Sequence, residues 1–245
     1  IAVMGTDFKG LKPQMLISEG DKVERGTPLF CHKDFPEIVY VSPCKGYVES
    51  INRGERRILL SVIIVIKDLL DKGTNYIETH SKIKPEKDFI KKCLLTSGLW
   101  SSFLTRPYSK TPPPYSEPSS IFITAIDTEP LSPDADLVIN NDLKAFKEGV
   151  KKISFLTKGK VFICKKSGSK IEIDNFETHT FDGPHPAGLA GTHMHFLDQP
   201  SLTKTVWSIS YQDVITIGKL FITGFLDIER VVSLCGPLAK KPRLI

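Results

Sequence analysis

The apolar pattern of the chain changes twice, and each change marks a different kind of fold. Residues 1–66 contain short apolar stretches separated by Gly-Asp, Ser-Pro and Arg-Gly turns, which is typical of an all-β domain. Residues 119–245 alternate strand-like and helix-like patterns, which predicts an open, mostly parallel sheet with helices on its faces. We therefore predict a β domain at residues 1–68, a helical and proline-rich connector at residues 69–118, and an α/β domain at residues 119–245.

The β segment contains two similar halves. Residues 19–29 predict a hairpin followed by a return strand, with Gly20 and Gly26 at the corners because glycine tolerates positive φ angles. Residues 42–48 repeat this order of turn and strand. Two such halves resemble the barrel-sandwich hybrid of lipoyl and biotinyl domains.

The α/β segment predicts four strands, at residues 121–126, 161–164, 205–210 and 230–235. Between the first two, apolar side chains recur at helical spacing over residues 143–153, with Asn141 as the expected N-cap and Gly159 beyond the end. Further helices are predicted at residues 85–97, in the connector, and at residues 212–220.

The composition is that of a globular protein and excludes several functions. The chain of 245 residues has 33 Lys and Arg, 28 Asp and Glu, and a net charge of +5 without a concentrated basic stripe, so we expect no nucleic-acid partner. The longest apolar stretch, residues 58–66, is about half of the ~20 residues that span a bilayer. We therefore expect a soluble protein, and we interpret the abrupt ends as those of a fragment.

The cysteines are dispersed and form no C-x-x-C pair. Structural zinc and iron–sulfur clusters need clustered thiolates, so neither is predicted. An odd number of scattered cysteines indicates reduced thiols in a cytosolic compartment. The five positions are Cys31, Cys44, Cys93, Cys164 and Cys235.

The most unusual stretch is residues 181–196, FDGPHPAGLAGTHMHF. Three glycines and two prolines restrict its backbone, and four of the six histidines fall within residues 179–195. One interpretation is a ligand-binding loop at the carboxyl edge of the sheet. The other is a rigid structural loop whose histidines bond to the backbone. Neither nucleotide-binding glycine spacing is present.

Two further hypotheses follow from single features. His193 and His195 share a face if that piece is extended, and with His185 they suggest a metal site, although the usual carboxylate ligand is missing. Lys33 suggests a biotinyl or lipoyl carrier, but the carrier signature is absent and we expect Phe35-Pro36 to distort the tight hairpin that such a lysine needs. The arginines of residues 53–57 are typical of a solvated face or of a docking site for acidic partners or anionic lipids.

Several longer strings resemble the A subunits of bacterial sodium-translocating NADH:quinone reductases. The likeness covers essentially the whole chain. It is most specific at residues 183–197 and at residues 206–221. The other matching strings are residues 51–57 (INRGERR), 97–100 (SGLW), 106–108 (RPY) and 121–127 (IFITAID).

This resemblance implies a peripheral subunit on the cytoplasmic face of the bacterial inner membrane. The complex of six subunits oxidises NADH, reduces ubiquinone and exports sodium. NADH, flavins and the [2Fe–2S] cluster are expected on other subunits, some of them embedded in the membrane. The α/β fold is expected to be Rossmann-like and related to the flavin-bearing subunit of complex I, and the family continues into a C-terminal region that this sequence lacks.

Where the flavin-binding relatives have a glycine-rich loop, this chain has the bulky Trp100 and Phe103. We therefore expect no cofactor on this chain and no catalysis by it alone. The resemblance implies a contribution to ubiquinone binding and complex assembly, and the alternative is a pure assembly scaffold. The expected quinone-binding residues are Phe181, His185, Gly188, His193, His195, Phe196, Arg106 and Tyr108.

Overall fold

The computed structural model describes all 245 residues, which pack into two units. The first unit contains Ile1–Ser101, Ser109–Ser116 and Thr223–Leu226. The second contains Ser102–Tyr108, Glu117–Ile222 and Asp227–Ile245. No helix is both long enough and apolar enough to cross a bilayer.

Two antiparallel sheets form most of the first unit. The four-stranded sheet has the order β1-β7-β6-β3 and the three-stranded sheet the order β2-β4-β5. Their buried side chains form the core, in which the rings of Phe30 and Tyr40 stack at 4.8 Å. The strands are β1 (Ala2–Met4), β2 (Pro13–Met15), β3 (Lys22–Val23), β4 (Pro28–His32), β5 (Phe35–Val41), β6 (Lys45–Arg53) and β7 (Leu59–Asp68).

The predicted corners of the β unit are confirmed, but one predicted pairing is wrong. Gly20 and Gly26 have φ angles of 89° and 91°, as a turn residue without a side chain allows. The hairpin predicted within residues 19–29 does not form, because β3 pairs with β6 across the four-stranded sheet, with Lys22 opposite Tyr47. A local sequence pattern shows where a strand begins and does not show which distant strand completes its hydrogen bonds.

Two helices complete the first unit. They are α1 (Tyr76–His80), which Asn75 caps by accepting a hydrogen bond from the Glu78 amide, and α2 (Glu86–Thr96). The second corresponds to the predicted helix at residues 85–97. Ile90, Cys93 and Leu94 are fully buried on one face of α2, so helical spacing identified the packed side correctly.

A five-stranded sheet is the centre of the second unit, in the order β11-β10-β9-β12-β8. Four strands are parallel and β8 is an antiparallel edge, which confirms the mostly parallel sheet. Helices on the sheet bury β9 almost completely, as a continuous apolar run predicts. The strands are β8 (Leu104–Arg106), β9 (Ser120–Ala125), β10 (Lys160–Lys166), β11 (Glu177–Phe181) and β12 (Val206–Ser210).

Four helices belong to the α/β topology, and one predicted cap is wrong. Asn141 is the last residue of a short helix that the sequence pattern missed, and Asp142 precedes the next helix instead. Residues 230–235 do not join the main sheet, because only a two-residue strand forms there and pairs with the end of the chain. These elements are α3 (Ala135–Asn141), α4 (Leu143–Ser154), α5 (Ala190–Leu197), α6 (Tyr211–Thr223), β13 (Ser233–Leu234) and β14 (Arg243–Leu244).

Candidate functional site

A cleft of about 380 Å³ opens at the carboxyl ends of β9 and β12. After β9 the chain builds β10 and β11 on one side, and it then returns to place β12 on the other side of β9. The direction of the topology therefore reverses between β9 and β12. In open parallel sheets, ligands bind in the crevice at such a switch point.

The cleft combines apolar walls with hydroxyl groups and charges. The apolar side chains come from the end of β9, from β12 and from the start of α5, whereas most of the polar ones come from strand ends and from the start of α6. The lining residues are Ser102, Leu104, Arg106, Thr124, Ile126, Asp127, Glu129, Gly188, Leu189, Ala190, Ser208, Ile209, Ser210, Tyr211 and Asp213.

Asp213 is held in place by four contacts. Its carboxylate accepts hydrogen bonds from the hydroxyls of Ser102 (3.1 Å) and Ser210 (2.7 Å) and pairs with the guanidinium of Arg230. Its own amide donates to the Ser210 hydroxyl at 3.3 Å, so the Ser210 side chain caps the start of α6. The negative charge of Asp213 is therefore compensated within the protein.

Two hydrogen-bond donors of the cleft remain suited to a ligand. Arg106 ends β8, and its guanidinium has no ion pair within the chain. Tyr211 begins α6 and is only 4% exposed; burial raises its pKa more than the hydrogen bond from the Gln212 side chain lowers it, so the phenol stays protonated and its O–H can donate. Both side chains can therefore donate hydrogen bonds to a carbonyl oxygen.

The histidine-containing loop after β11 is fixed against the segment that follows β9. The Gly188 amide donates to Thr128 Oγ1 at 2.9 Å, and Thr128 Oγ1 lies at hydrogen-bonding distance, 3.3 Å, from His185 Nδ1. A Cβ atom at Gly188 would lie 2.7 Å from the Thr128 amide nitrogen, so only glycine allows this approach. The structure thus brings His185 and Gly188 together at Thr128, and Gly188 lines the cleft together with Arg106.

His193 and Phe181 lie behind this loop. His193 is fully buried, its Nε2 lies 2.8 Å from the Ala187 carbonyl oxygen, and its ring contacts the Phe181 ring at 4.1 Å between centroids. Burial lowers the pKa of His193, which keeps the imidazole neutral, with the proton on the nitrogen that donates to Ala187. The structure therefore places these two residues as a support of the loop.

The other predicted site residues lie on the surface and do not line the cleft. His195 accepts a hydrogen bond from the Gln199 amide at 3.1 Å, while Phe196 is 72% exposed and Tyr108 is 64% exposed. His193 and His195 do not share a face, because they belong to helix α5, where residues two apart point in different directions. No group of three or more His, Cys, Asp or Glu side chains is arranged to hold a metal ion.

Lys33 is exposed in the tight turn between β4 and β5. The expectation that Phe35-Pro36 would distort this hairpin is supported: His32 pairs with Phe35, but the register of the two strands shifts between Cys31 and His32, beside Pro36 in β5. The irregular hairpin and the missing signature sequence thus both argue against a carrier lysine.

Tyr211, Ser210 and Asp213 were not predicted as part of the cleft. They belong to residues 206–221, a string that carries part of the family resemblance. The local pattern of that string indicates only the end of a strand and the start of a helix. The available signal was positional: Ser210 ends a buried strand, Tyr211 and Asp213 follow it, and the carboxyl ends of parallel strands meet at one edge of the sheet. Recognising it requires the strand order, which local patterns do not contain.

The chain is a two-domain α/β protein in which a barrel-sandwich hybrid precedes a Rossmann-like sheet with a cleft at its switch point. Residues 1–67 match the family described as the NqrA N-terminal barrel-sandwich hybrid domain. Residues 85–226, more than half of the chain, match the NqrA second alpha/beta domain. The chain belongs to the NqrA family.

Its relatives are named as the A subunit of Na(+)-translocating NADH-quinone reductase. The protein of Marinomonas sp. strain MWYL1 is 50% identical over 248 residues, covering 100% of this chain and 55% of that protein. The Photorhabdus laumondii protein is 45% identical over 250 residues, covering 100% and 56%, and the Vibrio atlanticus protein is 44% identical over 247 residues, covering 100% and 55%. The chain thus spans slightly more than half the length of these relatives.

Proposed function

We propose that this chain acts within a membrane-bound, sodium-translocating NADH:quinone reductase. The complex would couple NADH oxidation and ubiquinone reduction to sodium export, and this chain would contribute to quinone binding and assembly without catalysing a step alone. The names of the relatives support the activity, and the match of both domains to the NqrA family supports a role within the complex. We place the chain at the cytoplasmic face of the bacterial inner membrane, against other subunits including membrane-embedded ones.

The switch-point cleft carries the proposal of quinone binding. Its volume of about 380 Å³ suits a single aromatic headgroup, and a quinone needs apolar walls with a donor for each carbonyl oxygen. Ile126, Leu189 and Ile209 supply apolar surface. We assign the guanidinium of Arg106 and the phenol of Tyr211 as the two donors.

The predicted residues divide into three roles in this proposal. Arg106 and Gly188 contact the headgroup, and His185 lies beside them through its bond to Thr128. Phe181 and His193 hold the loop in position from behind. His195, Phe196 and Tyr108 are exposed and lie outside the cleft. Their contribution to quinone binding stays a prediction, to which the cleft adds no support.

The redox cofactors belong to other subunits in this proposal. Trp100 is 1% exposed with its indole donating to the Pro112 carbonyl oxygen at 2.8 Å, and Phe103 is fully buried. Both rings are packed into the protein at the place where flavin-binding relatives need bare glycine backbone. We therefore assign NADH, flavins and the [2Fe–2S] cluster to the partner subunits and ubiquinone to this chain.

Quinone titration of the intact subunit, with photo-crosslinking by a short-tailed analogue, tests the proposal. Arg106→Gln removes a charged hydrogen bond, which is worth about 1.5–3 kcal/mol, so affinity should fall by roughly tenfold or more. Tyr211→Phe should weaken binding about fivefold, and His185→Ala a few-fold, in keeping with the loss of neutral hydrogen bonds of about 1 kcal/mol.

His195→Ala is the matched control, because this histidine belongs to the same histidine-rich stretch but lies outside the cleft. Its affinity should equal that of the wild type. Equal losses in His195→Ala and Arg106→Gln would refute the cleft as the site. Saturable binding by neither the wild type nor any variant would instead support the assembly scaffold, with quinone held by the membrane subunits.

A further inference from the structure

The turn between β6 and β7 carries three exposed arginines, Arg53, Arg56 and Arg57, and one acidic residue, Glu55. We call residues 53–60 the arginine hairpin. The Arg53 guanidinium donates to the Arg57 carbonyl oxygen at 3.1 Å, and no carboxylate pairs with any of the three arginines. Most of the positive charge of the turn is therefore directed to solvent without compensation.

Two large aliphatic side chains are exposed in the same hairpin. Ile58 is 59% exposed and Leu60 is 42% exposed, whereas Leu59 between them is buried. Ile58 has extended backbone angles and Leu60 lies in β7, so these two side chains, two residues apart, point to the same outer face. The arginine hairpin thus presents cations and aliphatic surface together.

The backbone of the turn is well defined. The Gly54 amide donates to the Ile58 carbonyl oxygen at 2.8 Å, and the Arg57 amide donates to the Gly54 carbonyl oxygen at 3.2 Å. Arg56 and Arg57 have φ angles of 52° and 62°, in the left-handed region that favours glycine or asparagine. The turn therefore places long cationic side chains at two successive positions where a small residue would be less strained.

We propose that the arginine hairpin binds the surface of a bilayer that contains anionic lipids. The three guanidiniums would pair with lipid phosphates, and Ile58 and Leu60 would enter the boundary between headgroups and acyl chains. Cations beside exposed aliphatic residues are the arrangement that interfacial membrane binding requires. Charge complementarity supports this partner, and exposed aliphatic side chains beside the arginines favour a soft lipid surface over a pocket in an acidic protein. The inference is independent of quinone binding.

Sedimentation of the intact subunit with lipid vesicles tests this inference. The probe is phosphatidylcholine with about one third phosphatidylglycerol, at low and high salt, against pure phosphatidylcholine. Each basic residue near such a surface contributes about fivefold in partitioning, so R53Q/R56Q/R57Q should bind on the order of a hundredfold more weakly at low salt. I58S/L60S should bind about tenfold more weakly at both salt concentrations.

K144Q/K147Q/K151Q is the matched control, because it removes the same charge from exposed positions along α4. Its binding should stay within about threefold of the wild type at low salt. Near-ultraviolet circular dichroism establishes that every variant is folded. The proposal is overturned if the wild type does not bind the anionic vesicles, which would leave an acidic protein as the partner, or if the lysine variant loses as much binding as the arginine variant.

Discussion

The Nε2 atom of His193 lies 2.8 Å from the carbonyl oxygen of Ala187, in a position that is fully closed to solvent. This contact joins helix α5 to the loop that places Gly188 in the cleft. The Nδ1 atom of the same ring is buried without a hydrogen-bond partner. Protonation of His193 would therefore place a second donor where nothing accepts its hydrogen bond.

We predict that His193 makes stability depend on pH. Burial lowers the pKa of His193 in the folded state below its ordinary value of 6.5. The unfolded chain then binds more protons below about pH 6.5, so the stabilisation is complete above that pH and is lost as the pH falls towards the folded value. His193→Gln keeps a donor for Ala187 and cannot titrate in this range, so its urea unfolding free energy should change less with pH than that of the wild type.

His185→Gln is the control for this experiment, because His185 lies in the same loop but is exposed. Its unfolding free energy should follow the pH dependence of the wild type. The interpretation of His193 is wrong if His193→Gln retains the full decrease in stability on the acid side. At neutral pH we expect His193→Gln to be less stable by about 1 kcal/mol or less, because the hydrogen bond is preserved.

Two glycines set the distance between α4 and α6. A Cβ atom at Gly149 would lie 2.1 Å from the Val214 carbonyl oxygen, and one at Gly218 would lie 1.7 Å from the Ala145 carbonyl oxygen. Gly149→Ala should therefore force the helices apart and lower the unfolding free energy by about 3 kcal/mol, measured by urea denaturation. Gly191 in α5 is the comparison, because a Cβ atom there would meet no other atom within 4 Å. Gly191→Ala should therefore raise the unfolding free energy by roughly 0.5–1 kcal/mol. Similar effects of both substitutions would contradict the close approach.

The buried Lys165 ties down the loop after β10. Its ammonium donates to the carbonyl oxygens of Ile171 at 2.7 Å and Ser169 at 3.2 Å, and the residue is 7% exposed. Lys165→Met leaves these carbonyls without a donor, so it should cost about 1–3 kcal/mol and speed amide exchange in residues 167–171.

The neighbouring Lys166 provides a comparison with the same substitution. Its ammonium lies 2.8 Å from the Asp134 carboxylate, and both side chains are more than 40% exposed. Solvent screens such a pair, so Lys166→Met should cost less than about 1 kcal/mol and leave the exchange of residues 167–171 unchanged. Equal losses of unfolding free energy in Lys165→Met and Lys166→Met would show that the buried hydrogen bonds of Lys165 contribute no more to stability than an exposed ion pair.

Local patterns were sufficient to predict most elements of the fold. The buried run at β9 and the helical repeats of α2 and α4 depend on which side chains avoid water, and this information is present in each segment. The pairing of β3 with β6 and the isolation of β13 were not predictable in this way, because they depend on partners far along the chain. Whether the domains divide after residues 68 and 118 stays a prediction.

The site was predictable only in part, for the same physical reason. Glycine and proline spacing identified the loop that contains His185 and Gly188, because proline fixes φ and glycine permits close approach and conformations closed to other residues. The extended backbone on which the metal hypothesis was conditional does not form, because residues 193–195 lie in α5, and three residues are too few to distinguish a strand from a helix in advance. Tyr211 joins the cleft through strand order, which no single segment encodes.

Burial divides the five cysteines into two classes of reactivity. Cys31, Cys44 and Cys164 are buried, and burial raises the pKa of each thiol above its ordinary value, most strongly for Cys164. Cys93 is also buried, and Cys235 alone is partly exposed. Because the thiolate is the reactive form, iodoacetamide should modify Cys235 in the native protein at least about a hundredfold faster than any other cysteine.

Mass spectrometry after a short native reaction should therefore find one modified residue, and the same reaction in denaturant should find five. Cys235→Ser is the matched variant, and its native form should remain unmodified over that time. Modification of Cys31 or Cys44 at the rate of Cys235 would mean that the β sheets open faster than the reagent reacts, since both thiols lie in the interior of the first unit. Native labelling thus measures how tightly the barrel-sandwich core is closed, separately from any property of the cleft.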